Sequence, residues 1–187
     1  RNANLAGSNR VIAKPVEPPA EVLAARAELK GWIQNNLAGA QEQRAVAVSA
    51  LKEFLETSKD EMKGKGEYTS LQHQALEHDV KVMDQRIARL DHAQGLVRKG
   101  EWGKALDAVV AGDKGLVEGQ RESMKLKVDA IKSAVNFDRQ QVSSNMALVK
   151  KYDGIAMELT NARGALDRGE RLDVAMRSIG GALTALM

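Results

Sequence analysis

The chain contains no cysteine. Disulfides, thiol catalysis and cysteine-ligated metal centres are therefore excluded. A bacterial exported or secretion-associated setting fits this lack, because nothing has to be kept reduced. Aromatic residues are scarce, at 3 %. The core must be assembled from Leu, Val, Ile, Ala and Met, a set that suits close helix-on-helix packing. Proline occurs only at Pro15, Pro18 and Pro19, so nothing beyond residue 19 forbids helix on that ground. No apolar run reaches the ~18 residues that a membrane-spanning helix needs. A concentration of one charge sign is missing too. The net charge is +3, from 28 basic and 25 acidic residues. Residues 20–66 carry seven of each sign and residues 67–99 five of each. Nucleic-acid binders gather their charge on one face; here the mixture reads as solvated helix faces, and no nucleic-acid partner is expected.

What is present is helical periodicity. The longest pattern steps by fours and threes through Val117, Arg121, Met124, Val128, Ile131, Val135, Asp138, Val142, Asn145, Val149, Tyr152, Ala156, Leu159, Arg163 and Leu166. Eleven of these fifteen positions are apolar or aromatic. That spacing puts them on one stripe of a helix, with a seven-residue repeat. It predicts one very long helix over about 114–166. Gly154 is a place where it could kink, and the part beyond Gly154 is expected to be the mobile or partner-facing end.

The rest of the chain follows the same logic. Residues 1–19 have no periodicity and read as a flexible leader; residues 20–187 read as a single helical-bundle domain. Pro18-Pro19-Ala20-Glu21 is a helix start, with a pattern running to about Met62. Gly31 and Gly39 lie inside it, and bending or breakage is expected there. Lys63–Gly66 is a turn signal. A second helix starts near Thr69 or Ser70, with the seam Leu76, Val80, Met83, Ile87, Leu90, Gln94, Val97, and ends at Arg98-Lys99-Gly100. Residues 101–111 read as a short helix, and Gly112–Gly115 as a turn. Beyond Arg168-Gly169, a last helix presents Leu172, Met176, Ile179, Leu183 and Leu186 on one face. The expected fold is all-α: an elongated antiparallel three- to four-helix bundle with coiled-coil-like heptad seams.

Two short segments resemble known families. RKGEWGKALDAV (98–109) resembles the turn and second helix of a tetratricopeptide repeat, but such repeats recur every 34 residues and no second copy occurs. LDRGERLD (166–173) is similar to part of vesicle-type SNARE motifs. The resemblance would place that family's central arginine near Leu159, and the family's membrane anchor does not follow, so no function is carried across.

Reactive constellations are absent from the sequence. His73, His78 and His92 fall on one helix at spacings that cannot make one site, and the residues three before them (Ser70, Ala75, Arg89) are not the glutamates of a di-iron bundle. There is no Gly-x-Ser-x-Gly, HExxH or phosphate-binding loop. The expectation is a non-enzymatic structural or protein–protein interaction protein with no cofactor and no metal. Its partner would be another protein or a second copy, met through a helical face. Contact with a membrane surface is disfavoured, since Lys125–Val135 has three lysines and no aromatic anchor. The polar seam residues Arg121, Asp138 and Asn145 are candidates for setting register or partner choice. Leu172, Met176, Ile179 and Leu183 are candidates for a partner-facing stripe. The competing reading is a helical sensor or ligand-binding domain cut from a longer membrane-anchored chain.

Overall fold

The computed structural model describes residues 15–58, 67–133, 139–167 and 171–185. These residues form five helices and no strand: α1 (Ala20–Thr57), α2 (Glu67–Arg98), α3 (Trp102–Ser133), α4 (Arg139–Asp167) and α5 (Leu172–Ala185). The fold is all-α, a bundle of helices packed on one another.

Local chemistry sets the helix ends. Pro19 sits at the N-cap of α1, with Glu21 in the first turn, where an acid complements the positive helix end. At the end of α2, Gly100 takes φ +76°. Its N–H bonds Val97 O at 3.0 Å, and Glu101 N–H bonds Leu96 O at 3.0 Å. This paired closure needs a left-handed residue, which glycine supplies without strain. It makes the link to α3 short, so α2 and α3 must be antiparallel neighbours.

Contacts across helix pairs show the order. Asn36 meets Arg86 and Phe54 meets His73, so α1 and α2 are antiparallel. His78 meets Ser123, and Gly112 lies against Arg89, which gives the same for α2 and α3. Arg121 meets Asp153 and Asp107 meets Arg163, which gives it for α3 and α4. Short α5 then packs on α4 and α1 and closes one end of the bundle. The main core lies at that end: Ala25, Leu29 and Ile33 of α1, Ala93 of α2, Leu106, Val109 and Val110 of α3, and Ala175, Met176 and Ile179 of α5. Two smaller clusters lie further along. One joins Val117 to Ile155 and Leu159; the other joins Leu116 to Val82 and Met83.

Three expectations about the helices are corrected. The single helix over about 114–166 is two helices: α3 ends at Ser133, α4 begins at Arg139, and the two fold back on each other. In one continuous helix Arg121 and Asp153 would stand about 48 Å apart; here their side chains are 2.5 Å apart. The turn expected at Gly112–Gly115 lies inside α3, which runs unbroken from Trp102. These glycines serve packing instead. Arg89 lies across Gly112 and Gly115, and Val82 lies against Gly119. Gly31 and Gly39 do not break α1, and Gly154 does not break α4. The turn at Lys63–Gly66, the leader up to residue 14, Val135, Asp138 and Gly169 lie outside the described residues.

Candidate functional site

Two features of the bundle stand out chemically: a layer of buried polar groups across its middle, and a helix face that α5 stops short of covering.

The polar layer draws one side chain from each of three helices. Asp113 of α3 is 1 % exposed, Arg86 of α2 5 %, and Asn36 of α1 8 %. Arg86 Nη2 donates to Asn36 Oδ1 at 2.8 Å, and Asn36 Nδ2 donates to Trp32 O at 2.9 Å. Among the described residues Asp113 Oδ2 and Arg86 Nε have no hydrogen-bond partner. An unpaired buried polar atom is costly, so this layer is only partly compensated. Burial pushes the Asp113 carboxyl up to about 7, against the opposing pull of the Arg86 charge. Burial likewise lowers the Arg86 guanidinium from its usual range, with Asp113 acting in the other direction. The sequence signal was thin. Arg86 and Asp113 sit on the inner faces of α2 and α3, but helical periodicity alone marks such residues only as interruptions.

About 15 Å further along α3 a second polar group crosses the α2–α3 seam. His78 Nδ1 and Ser123 Oγ are 2.7 Å apart, and Lys127 Nζ donates to Asp79 Oδ2 at 2.8 Å. The Tyr152 hydroxyl is pushed up by burial first and the Asp79 charge second. Although a serine and a histidine are hydrogen-bonded here, Ser123 is buried inside a packed helix pair. A nucleophile needs a substrate-sized opening at its oxygen, and neither lateral groove described below is lined by Ser123 or His78. The other histidines go separate ways. His73 stacks on Phe54 and pairs with Glu77 at 3.1 Å, while His92 lines the α2–α3 groove. Among the described residues no three His, Asp or Glu side chains converge as metal ligands.

Two of the lateral grooves are open troughs. That between α1 and α5, about 480 Å³, is walled by Glu21, Glu28, Asp173 and Arg177 over Ala24, Ala25 and Met176. Asp173 is already engaged, by Arg171 at 2.5 Å and Arg177 at 3.2 Å. That between α2 and α3, about 540 Å³, holds Arg89, His92 and Lys104 beside Asp107, which pairs with Arg163.

The uncovered face lies on α1. Glu21, Ala25 and Glu28 turn toward α5. Continuing that line by helical steps gives Trp32, Gly39, Gln43, Val46 and Ala50. At ~1.5 Å per residue, α5 (14 residues) is about 21 Å long and α1 (38 residues) about 57 Å. Past Ala40, α1 meets α2 through Arg44–Asp84 and Phe54–His73. Residues 41–46 are all exposed, and Val46 is 70 % exposed. On α4, Met146, Leu148 and Met157 are also exposed.

The candidate residues from the sequence scatter over this structure. Arg121 is tied to Asp153 and serves the α3–α4 pairing inside the chain. Asn145 is half-buried on α4. Met176 and Ile179 are not a partner-facing stripe: they are buried against α1 and α3 in the main core, and Leu172 packs at its edge. The stripe is amphipathic because α5 closes the chain's own bundle. The Leu183 side chain and Asp138 lie outside the described residues. The segment beyond Gly154 is also inward, since Ile155 and Leu159 pack on Val117. The surface on α1 was missed because its small uncharged residues, Gly39, Gln43 and Ala50, give no hydrophobic peak.

Comparison with known proteins adds no relative: no protein-family model, no curated protein and no solved structure matches the chain.

Proposed function

We propose that this chain is a non-catalytic interaction protein that receives a helix of another protein along α1 beyond Ala40. The observation that carries the proposal is the length mismatch between α1 and α5. The face of α1 that takes α5 over its first half continues, uncharged, through Gly39, Gln43, Val46 and Ala50, beyond the length that α5 spans among the described residues. In a chain with 28 % charged residues, an uncharged line of this length is a surface suited to helix contact rather than to water. The occupant is an amphipathic helix with small and apolar seam residues, of the kind α5 itself offers in Ala175, Met176 and Ile179. A bacterial exported or secretion-associated role remains our reading of the setting, resting on the lack of cysteine alone.

That lack also supplies the experiment. Val46→Cys creates a unique attachment point for a photocrosslinker, and Lys30→Cys gives a control on the exposed side of the covered half of α1. Crosslinking in the native extract should trap one defined protein from position 46 and not from position 30. Val46→Cys combined with Ala50→Glu should lose it. Equal yields from both positions would end the proposal.

A further inference from the structure

We propose that Asn36, Arg86 and Asp113 form a proton-linked latch: with Asp113 protonated α1, α2 and α3 close on one another, and with Asp113 ionised the middle of the bundle opens to water. The inference does not rest on the docking surface.

The position of the layer makes it a latch rather than a local defect. Along α3, Asp113 stands between Val109 and Val110 of the main core and Leu116 and Val117 of the two smaller clusters. Along α2, Arg86 stands between Met83 and Leu90, both buried. The polar layer therefore separates the end of the bundle that α5 closes from the end that it does not reach.

The charges around Asp113 are few. Its own helix pair contributes Arg86, whose one hydrogen bond goes to Asn36 and not to the carboxylate. Arg89 lies on the outer side of that pair, over Gly112 and Gly115, and is exposed. From α1 the layer receives Asn36, which is neutral. The turns of α3 next to Asp113 meet α4 through Ile155 and Leu159 and α5 through Ile179, which carry no charge. The pairs Arg44–Asp84 and Arg121–Asp153 lie at the surface. Among the described residues an ionised Asp113 is thus opposed by a single guanidinium that is committed elsewhere, and Oδ2 has no donor. Opening the seam to water is the way left to solvate it. When protonated, the carboxyl needs no such solvation.

The folded state holds the proton to a higher pH than the unfolded chain does. Stability contributed by this group is therefore full at acid pH and is lost as pH rises through about 7. This is opposite in sign to ordinary acid unfolding, which protonates paired carboxylates.

The test compares the wild-type chain with Asp113→Asn by urea unfolding from pH 5 to 8. Relative to the variant, the wild-type unfolding constant should rise about tenfold per pH unit between pH 5 and 7 and flatten above. Amide exchange, corrected for its intrinsic pH dependence, should be faster at pH 8 than at pH 6 in Val82–Leu90 and Leu106–Val117 of the wild type only. Parallel pH profiles for the two proteins would overturn the latch, as would faster exchange spread evenly over all helices. Should Asp113→Asn fail to fold, carbon-detected titration of the Asp113 carboxyl in the wild type decides. A midpoint near 7 supports the latch and one below 5 overturns it.

Discussion

Replacing Gly119 by alanine sets two effects of known size against each other. Gly119 lies inside α3, where alanine is favoured over glycine by about 1 kcal/mol. A Cβ at this position would stand 2.6 Å from Val82 Cγ2, 3.1 Å from Cγ1 and 3.4 Å from Cβ. Val82 is a buried, β-branched residue on α2, so its rotamers give little escape. The helices must separate or Val82 must leave its rotamer, at a cost of about 1–3 kcal/mol. The clash outweighs the propensity gain, and Gly119→Ala should lower stability by up to about 2 kcal/mol.

Gly95 and Gly103 are internal controls. Both are helical, and a Cβ at either meets nothing within 4 Å. Alanine there should raise stability by about 0.5–1 kcal/mol. Gly115 falls between these cases. Its Cβ would collide with the guanidinium end of Arg89, an exposed side chain that is free to swing away. Gly115→Ala should be close to neutral. The assay is urea unfolding followed by circular dichroism, with Val82→Ala and the double variant completing a cycle. In the Val82→Ala background the sign should reverse, and Gly119→Ala should stabilise. Stabilisation by Gly119→Ala in the wild-type background, or the same loss with and without Val82, would refute close packing of α2 on α3 at this point.

Other outcomes follow from the same structure. Arg86→Met should destabilise more at pH 8 than at pH 5, because it removes the charge that opposes an ionised Asp113. At pH 5, where Asp113 is neutral, the loss should be much smaller; equal losses by urea unfolding at both values would show that the two groups do not interact. Ile33→Ala and Leu106→Ala, both in the main core, should each cost about 2–5 kcal/mol, whereas Val46→Ser should stay within about 0.5 kcal/mol and act only on partner capture. His78→Ala and Ser123→Ala should each cost about 1–3 kcal/mol, since each leaves a polar group unpaired, and the double variant should cost less than the sum. A strictly additive double variant would show that their hydrogen bond contributes nothing.

The sequence by itself determined the class of fold and which side of each helix is apolar. A chain with few aromatics, no proline after residue 19 and apolar residues at helical spacing has all-α packing as its way to bury a core. Val117, Val128, Val149 and Leu159, all taken from one periodic pattern, are all buried. The start of α1 at Pro18-Pro19 and the end of α2 at Gly100 were likewise legible, because caps are local chemistry.

The tertiary structure alone decided how these helices are connected in space. A seven-residue pattern looks the same whether it runs through one long helix or returns along a second, provided the link keeps the phase. The break between Ser133 and Arg139 was therefore invisible to periodicity, although Asn136 and Asp138 are of the types that favour turns and caps. Glycine carried the same ambiguity. Gly100 ends a helix, while Gly112, Gly115 and Gly119 let α2 approach α3, and only the position of Arg89 and Val82 tells the two uses apart. The amphipathic face of α5 could have met a partner or its own chain; Leu29 and Ile33 share its core. Meeting Asn36, Arg86 and Asp113 in one layer required three segments to come together across 50 and 27 positions of sequence. Spacing along a chain records what each helix must bury, but the pairing of helices selects which buried charges see one another.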